Sequence, residues 1–256
     1  MIKMEECFGI VLMIDALGVS QYKNEECRQF IENQKELKEN LIPLNQKLGS
    51  KPWTKHFKSS HLFTFGDTII LCLPIDRNKK SDRYSIICQV AIYAINILKW
   101  GLEKGILFRG CISVGEYIFD ENTVLGPAIF DAHDWYESTN WFGIILSPKS
   151  QLWVESIVEE KKRRSKKKFD KDIEKILVYY NVPLAHCPST QNTKEFLTVA
   201  WPWGYFSDDE KTEETPREVL LNELFKIPES KEGEPKFKNG IDFFDWYDKK
   251  TLFVES

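Results

Sequence analysis

Phe8-Gly9-Ile10-Val11-Leu12-Met13-Ile14 is an unbroken apolar run, and Asp15 ends it. The run is rich in branched side chains and far short of a membrane span, so it predicts a strand buried on both faces. Asp15 then opens a loop, Ala16-Leu17-Gly18-Val19-Ser20. Working outward, residues 24–48 carry apolar positions at helical spacing (Cys27, Phe30, Ile31, Leu37, Leu41, Leu44 and Leu48) and close at Gly49, with Pro43 placed to kink the helix. Residues 61–65 and 68–73 are two more apolar segments, joined by Gly66-Asp67, a pair suited to a tight hairpin. Residues 84–103 place Ile86, Ile87, Val90, Ala91, Ala94, Ile95 and Leu98 on one face, as a helix packed on a sheet would. Residues 106–117 return as a strand, 128–139 read as a helix and 142–146 as a further strand.

The order strand, helix, hairpin, helix, strand is that of a split βαβ, or ferredoxin-like, palm. The fold class expected is therefore α+β, a βαββαβ core over residues 1–150 with a C-terminal α/β extension over 151–256. In such a palm the end of the first strand lies beside the first hairpin, which brings Asp15 and Asp67 together. Beyond Pro148 the pattern weakens. Residues 161–168 (KKRRSKKK) form a charge run, residues 207–216 and 227–239 read as polar connectors, and residues 176–180 and 195–200 read as strands between them. Trp201-Pro202-Trp203 and Phe243-Phe244-Asp245-Trp246-Tyr247 are read as packing the extension onto the core.

Composition narrows the function. Hydrophobic residues make up 42% and charged residues 29% of the 256-residue chain, an ordinary globular balance. A net charge of −4 gives no general attraction for nucleic acid or an anionic membrane, so a polyanion must be held by a local site. The six cysteines, Cys7, Cys27, Cys72, Cys88, Cys111 and Cys187, show no C-x-x-C spacing and read as reduced residues of a cytoplasmic protein without a leader or membrane anchor.

One acid after a strand is ordinarily a polar residue opening a loop. Two acids at one end of one sheet repel each other unless a cation lies between them. Paired carboxylates suit hard, oxygen-seeking ions such as Mg2+ or Mn2+, which also take oxygens from substrate phosphates. Leu17, Gly18 and Val19 would offer backbone N–H groups to those phosphates.

The segments VLMIDALGVS, FTFGDTIILCLP, FRGCISVGEY and TVLGPAIFDAH resemble the successive motifs of class III nucleotidyl cyclases, and among these most closely the bacterial pyrimidine cyclases of Pycsar anti-phage defence. The resemblance covers residues 8–148. It implies that Asp15 and Asp67 are the catalytic, metal-binding aspartates and that the Ala16 carbonyl touches the second of two Mg2+ or Mn2+ ions. The implied reaction converts UTP or CTP to its 3′,5′-cyclic monophosphate and pyrophosphate, in a homodimer that signals to a cyclic-nucleotide effector.

At the purine-selecting position the chain has Phe63, which would stack on a base, narrow the pocket or pack the core. Thr123 stands at the second base-selecting position. Where purine cyclases place an asparagine and an arginine, this chain has Phe130 and Asp134, neither of them a cation. Arg109 and Lys149 are the candidate replacements, and His133 reads as a packing or solvent-contact residue. Two other readings share the paired aspartates, namely a catalytically silent cyclase-like sensor and a palm-type oligonucleotide synthase.

Overall fold

The computed structural model describes residues 4–47, 60–77, 83–164, 172–185, 193–206, 215–224 and 233–252. Cys187, the second half of the basic run at 165–168 and the polar stretch at 207–214 lie outside the described residues.

The first strand, β1 (Glu5–Ala16), is the centre of the palm, and its residues Ile10 to Ile14 are each at most 6% exposed. Burying one such side chain stabilises by roughly 1.5–3 kcal/mol, so the run has no competitive solvent-facing register. A three-residue 3₁₀ turn, Val19–Gln21, follows, and then α1 (Asn24–Lys47). Strands β2 (His61–Phe65) and β3 (Thr68–Pro74) form the hairpin. Helix α2 (Arg83–Glu103) leads back to β4 (Phe108–Phe119). These strands stand in the order β2-β3-β1-β4, with every neighbouring pair antiparallel. That is the ferredoxin-like palm, and the fold is α+β.

The sheet continues. A short β5 (Val124–Leu125) folds back on β4, and α3 (Pro127–Glu137) follows it. Strand β6 (Gly143–Leu146) runs parallel to β4. After α4 (Pro148–Arg164) and the short α5 (Asp172–Ile176), the hairpin β7 (Leu177–Pro183) and β8 (Thr193–Val199) joins at β6. The sheet thus runs through both halves of the chain. A short α6 (Trp203–Phe206), α7 (Pro216–Leu224) and α8 (Gly233–Leu252) complete the extension. Helix α8 docks through Phe243, whose ring meets Trp141 edge-on at 5.1 Å and Tyr180 at 4.7 Å.

Helix α2 is long and apolar enough to cross a membrane, but 72% of its most apolar window is buried inside the protein. It covers one face of the sheet, where Trp100 stacks on Phe108 at 6.4 Å. Arg109, one residue along β4, therefore points to the other face. There α3 lies across β4 and β1, anchored by the Ser113 hydroxyl donating to Asp131 at 2.7 Å. This second face holds the candidate site.

Candidate functional site

The palm's register sets three functional groups side by side. Asp15 is paired directly with Thr68 on β3 and with Arg109 on β4. Side-chain alternation puts all three on the face that α3 covers. Asp67 occupies the β2–β3 turn next to them, where Gly66 adopts a φ of 60° that a side chain would resist. The turn is tied to β1 because the Ala16 N–H donates to the Asp67 carbonyl at 3.2 Å. Gln34 on α1 also donates to the Gly66 carbonyl at 2.8 Å. The two aspartates thus stand at one end of the sheet.

Asp15 is only 13% exposed and both of its carboxylate oxygens are engaged. Oδ1 accepts from the Thr68 hydroxyl at 3.2 Å, and Oδ2 accepts from Nε and Nη2 of Arg109, each at 3.4 Å. The Arg109 guanidinium lies over the Tyr136 ring, 5.2 Å from its centroid. Tyr136, on the inner face of α3, is 4% exposed and shares a hydrogen bond with Thr68. Burial, with help from Asp15 and Glu137, pushes its phenol up to about 12, so it stays protonated at neutral pH.

Burial is also the first cause pushing the Asp15 carboxyl above the usual carboxylate range. Asp67 pushes it further, while Arg109 and Thr68 pull the other way. A carboxyl raised on folding contributes stability that is fully present below its unfolded pKa, about 3.9, and is lost as pH rises through its folded value. Since Asp67 is part of the cause, Asp67→Asn in chelator-treated protein should melt higher than the unaltered protein at pH 7. The gap should close as pH falls and the Asp15 carboxyl takes up its proton, since the repulsion then has no charge to act on. Thermal melts across that range check this, and a gap independent of pH would contradict it.

The donor set fits hard divalent cations. It offers two carboxylates at one end of the sheet, with charge repulsion that a cation would relieve, and leaves further positions for phosphate oxygens and water. Among the described residues no group of three or more His, Cys, Asp or Glu forms a self-sufficient metal cage. Ions here would share their coordination with a substrate.

The structure distributes the other candidates unevenly. Leu17 adjoins the site, but its N–H is donated to the Leu107 carbonyl at 2.8 Å and is not available to a phosphate. Gly18, at φ 82°, caps the 3₁₀ turn that Val19 begins, so this loop is followed by that turn rather than opening straight into α1. Phe63 is 6% exposed, and its ring meets Phe119 edge-on at 6.2 Å. Thr123 lies in the β4–β5 turn, its N–H donating to Asp120 at 2.8 Å, with the length of β4 between it and Arg109. Within one chain Thr123 is not brought to the aspartates.

Lys149 is exposed in the first turn of α4, past the end of β6 that pairs with Ile112 rather than with Arg109. Phe130 is 56% exposed, and Asp134 is exposed on the outer side of α3, 3.7 Å from His133. Thr68 and Tyr136 complete the site without having stood out in the sequence. Thr68 had one signal, its place directly after Asp67.

No protein-family model matches the chain. No curated protein matches it either. Solved structures do. The chain is similar to the catalytic core of a rhodopsin-guanylyl cyclase with converted specificity in complex with ATPαS (11% identity, TM-score 0.46, 78% of this chain and 100% of that one). It is also similar to the non-canonical dimeric guanylyl cyclase domain of RhoGC fusion protein from the aquatic fungus Blastocladiella emersonii (12%, 0.45, 77% and 97%). A third is an adenylate/guanylate cyclase/hydrolase from Silicibacter pomeroyi (15%, 0.43, 77% and 99%). All three are cyclases.

Proposed function

We propose that the chain is a nucleotidyl cyclase that closes a nucleoside triphosphate, UTP or CTP, into its 3′,5′-cyclic monophosphate with release of pyrophosphate. The observation that carries this is the pairing of Asp15 and Asp67 at one end of the palm sheet, with a guanidinium beside them. The ribose 3′-oxygen forms its bond to the α-phosphorus as the bond from that phosphorus to the pyrophosphate oxygen breaks, and the hydroxyl proton leaves to solvent. Two divalent ions, when bound, lower the cost of removing that proton and neutralise charge on the triphosphate. The chain's own part is to hold and orient. Asp15 and Asp67 position the ions, Thr68 fixes the Asp15 carboxylate, and Gly18 and Val19 border the phosphates.

The pyrimidine reading is supported by residue type. Position 63 is a buried phenylalanine, so it offers a purine edge neither a charge nor a hydrogen bond. Thr123 stands at the far end of β4, so its contact with a base requires a second copy, in keeping with a homodimer whose sites lie between subunits. The resemblance to Pycsar cyclases supports a role in anti-phage signalling to a cyclic-nucleotide effector. Asp134 in place of a catalytic cation favours the silent-sensor reading, and the presence of Arg109 at the aspartates weighs against it.

Incubating the purified chain with each of the four ribonucleoside triphosphates and Mn2+, then weighing the products, tests the reading. A cyclic pyrimidine monophosphate is expected. Cyclic AMP as the main product would defeat the pyrimidine assignment, a linear or cyclic oligonucleotide would favour the synthase, and bound but unaltered nucleotide the sensor. Mg2+ or Mn2+ should be required. Ca2+, with longer bonds and looser geometry, should support little turnover, and product formed in excess chelator would contradict the metal assignment.

A further inference from the structure

Helix α1 turns Phe30, Asn33 and Leu37 toward the palm, each of them at most 5% exposed. The three keep the spacing of a buried helical stripe, and the middle one is an amide. Its Oδ1 accepts from Gln29 at 3.2 Å, and its amide nitrogen has no hydrogen-bond partner among the described residues. Turning both amides over only exchanges which end of Asn33 is left over. A buried polar end without a partner is costly, and a leucine would suit the stripe better. Departures of this kind from a local rule gather at functional sites.

Asn33 lines a cavity of about 240 Å³ between α1 and the turn that joins α2 to β4. Drug-sized ligands need roughly 300–1,000 Å³, so this space suits one small ring system. Its apolar part is the buried Phe30 and Ile106, with Tyr22 edge-on to Phe30 at 6.0 Å. The Tyr22 hydroxyl likewise has no hydrogen-bond partner among the described residues. Burial, then Glu26 and Cys27, push its phenol above the usual tyrosine range, so it stays a donor. Two exposed carboxylates, Glu26 and Glu103, also line the cavity, and its one ammonium, on Lys104, is committed to Glu36 at 2.8 Å. The lining therefore offers an apolar surface for a ring, donors without partners, and a negative balance.

We propose that this cavity binds an uncharged nucleobase, free or as its nucleoside. A base is a flat ring whose carbonyl or ring nitrogen accepts from Asn33 and Tyr22, and whose N–H groups donate to the carboxylates. A phosphate would meet Glu26 and Glu103 and be repelled. The cavity is separate from the paired aspartates and is linked to them through α1. Gln34, next to Asn33, donates to the Gly66 carbonyl at 2.8 Å in the turn that carries Asp67. A ligand clamped between α1 and the α2–β4 turn steadies the helix that grips that turn. The binding stands without the cyclase reading, and its consequence for turnover rests on that reading.

The test uses the full, metal-stripped chain, with uracil, cytosine and adenine as probes titrated by ligand-observed NMR. At least one should bind with a Kd of about 1 mM or tighter. Asn33→Leu should weaken that binding at least about tenfold while the melting temperature holds or rises, because the variant removes a buried amide end that has no partner. Gln29→Trp, at an exposed position, fills the cavity and should abolish binding, which serves if the leucine variant does not fold. The nucleoside of the base that binds should bind about threefold or more tighter than its 5′-monophosphate. Saturation with the base should also slow hydrogen exchange across residues 64–68, and Gln34→Ala should remove that protection.

No binding by any of the three bases would overturn the proposal. So would binding that survives both variants, which places the base elsewhere, or a monophosphate bound as tightly as its nucleoside. Exchange across residues 64–68 that ignores the base would overturn the link to Asp67. A chain that binds the base in the expected way and turns over no nucleoside triphosphate would refute the cyclase reading and leave this site standing.

Discussion

Asp67→Asn is expected to leave a folded protein whose cyclic-nucleotide formation is lower by roughly 10³-fold or more. The size follows from what is removed. A bound ion supplies several kcal/mol of transition-state charge stabilisation, and each 1.36 kcal/mol is a factor of ten in rate. The fold should survive because Asp67 makes its structural contact through the backbone, accepting from Ala16 N–H, which an asparagine preserves. Asp15→Asn should lose as much activity and likewise keep its fold, because a neutral side chain escapes the burial and the Asp67 repulsion that penalise the ionised carboxyl.

The two losses should not add, since two groups that hold the same ions act as a unit. Turnover in the double variant equal to that of the unaltered protein would sink the two-metal assignment outright. Product assays by mass, run beside thermal melts on the same preparations, separate lost chemistry from lost fold.

The place of the aspartates was legible in sequence because Asp15 closes the apolar run of β1 and Asp67 sits in a Gly-Asp turn between two apolar segments. A buried run has one register, and a Gly-Asp turn has one place in a palm. What lay around them was not legible. The Asp15–Arg109 pair is a cross-strand neighbour separated by most of the palm's length in sequence, and it exists only once β1 and β4 are in register. Tyr136 falls on the buried stripe of α3, but helical spacing says that it faces inward without saying what it faces.

The start of β4 was read two residues early because Ile106 and Leu107 are as apolar as a strand. Ile106 instead donates back to the Gly101 carbonyl in a turn that Gly105 makes possible with a φ of 72°. The helices α4 and α8 were masked by their charge. Lysines and glutamates interrupt the run of apolar letters, while Phe237, Ile241, Phe244 and Tyr247 keep helical spacing through a stretch that looks like a connector.

Phe63 carries the second large effect, on stability. Its ring is buried on β2 against Phe119, which is itself 4.1 Å from the His61 ring, so the three rings form one packed group at the hairpin side of the sheet. Phe63→Ala should leave a cavity there and cost roughly 3–5 kcal/mol, a lowering of the melting temperature of the order of 10 °C for a chain this size. The ratio of pyrimidine to purine turnover in the surviving folded protein should stay as it is, because a side chain committed to the core has no face left for a base.

A ring that instead formed the wall of a base pocket would give the opposite pattern. Removing a wall relaxes selection that is on the order of 10- to 200-fold, and does so with little loss of stability. Competition kinetics with UTP against ATP, alongside a thermal melt of the same variant, tell these apart. A relaxed ratio at unchanged melting temperature would move Phe63 from the core to the pocket, and the pyrimidine preference would then rest on shape rather than on the missing charge.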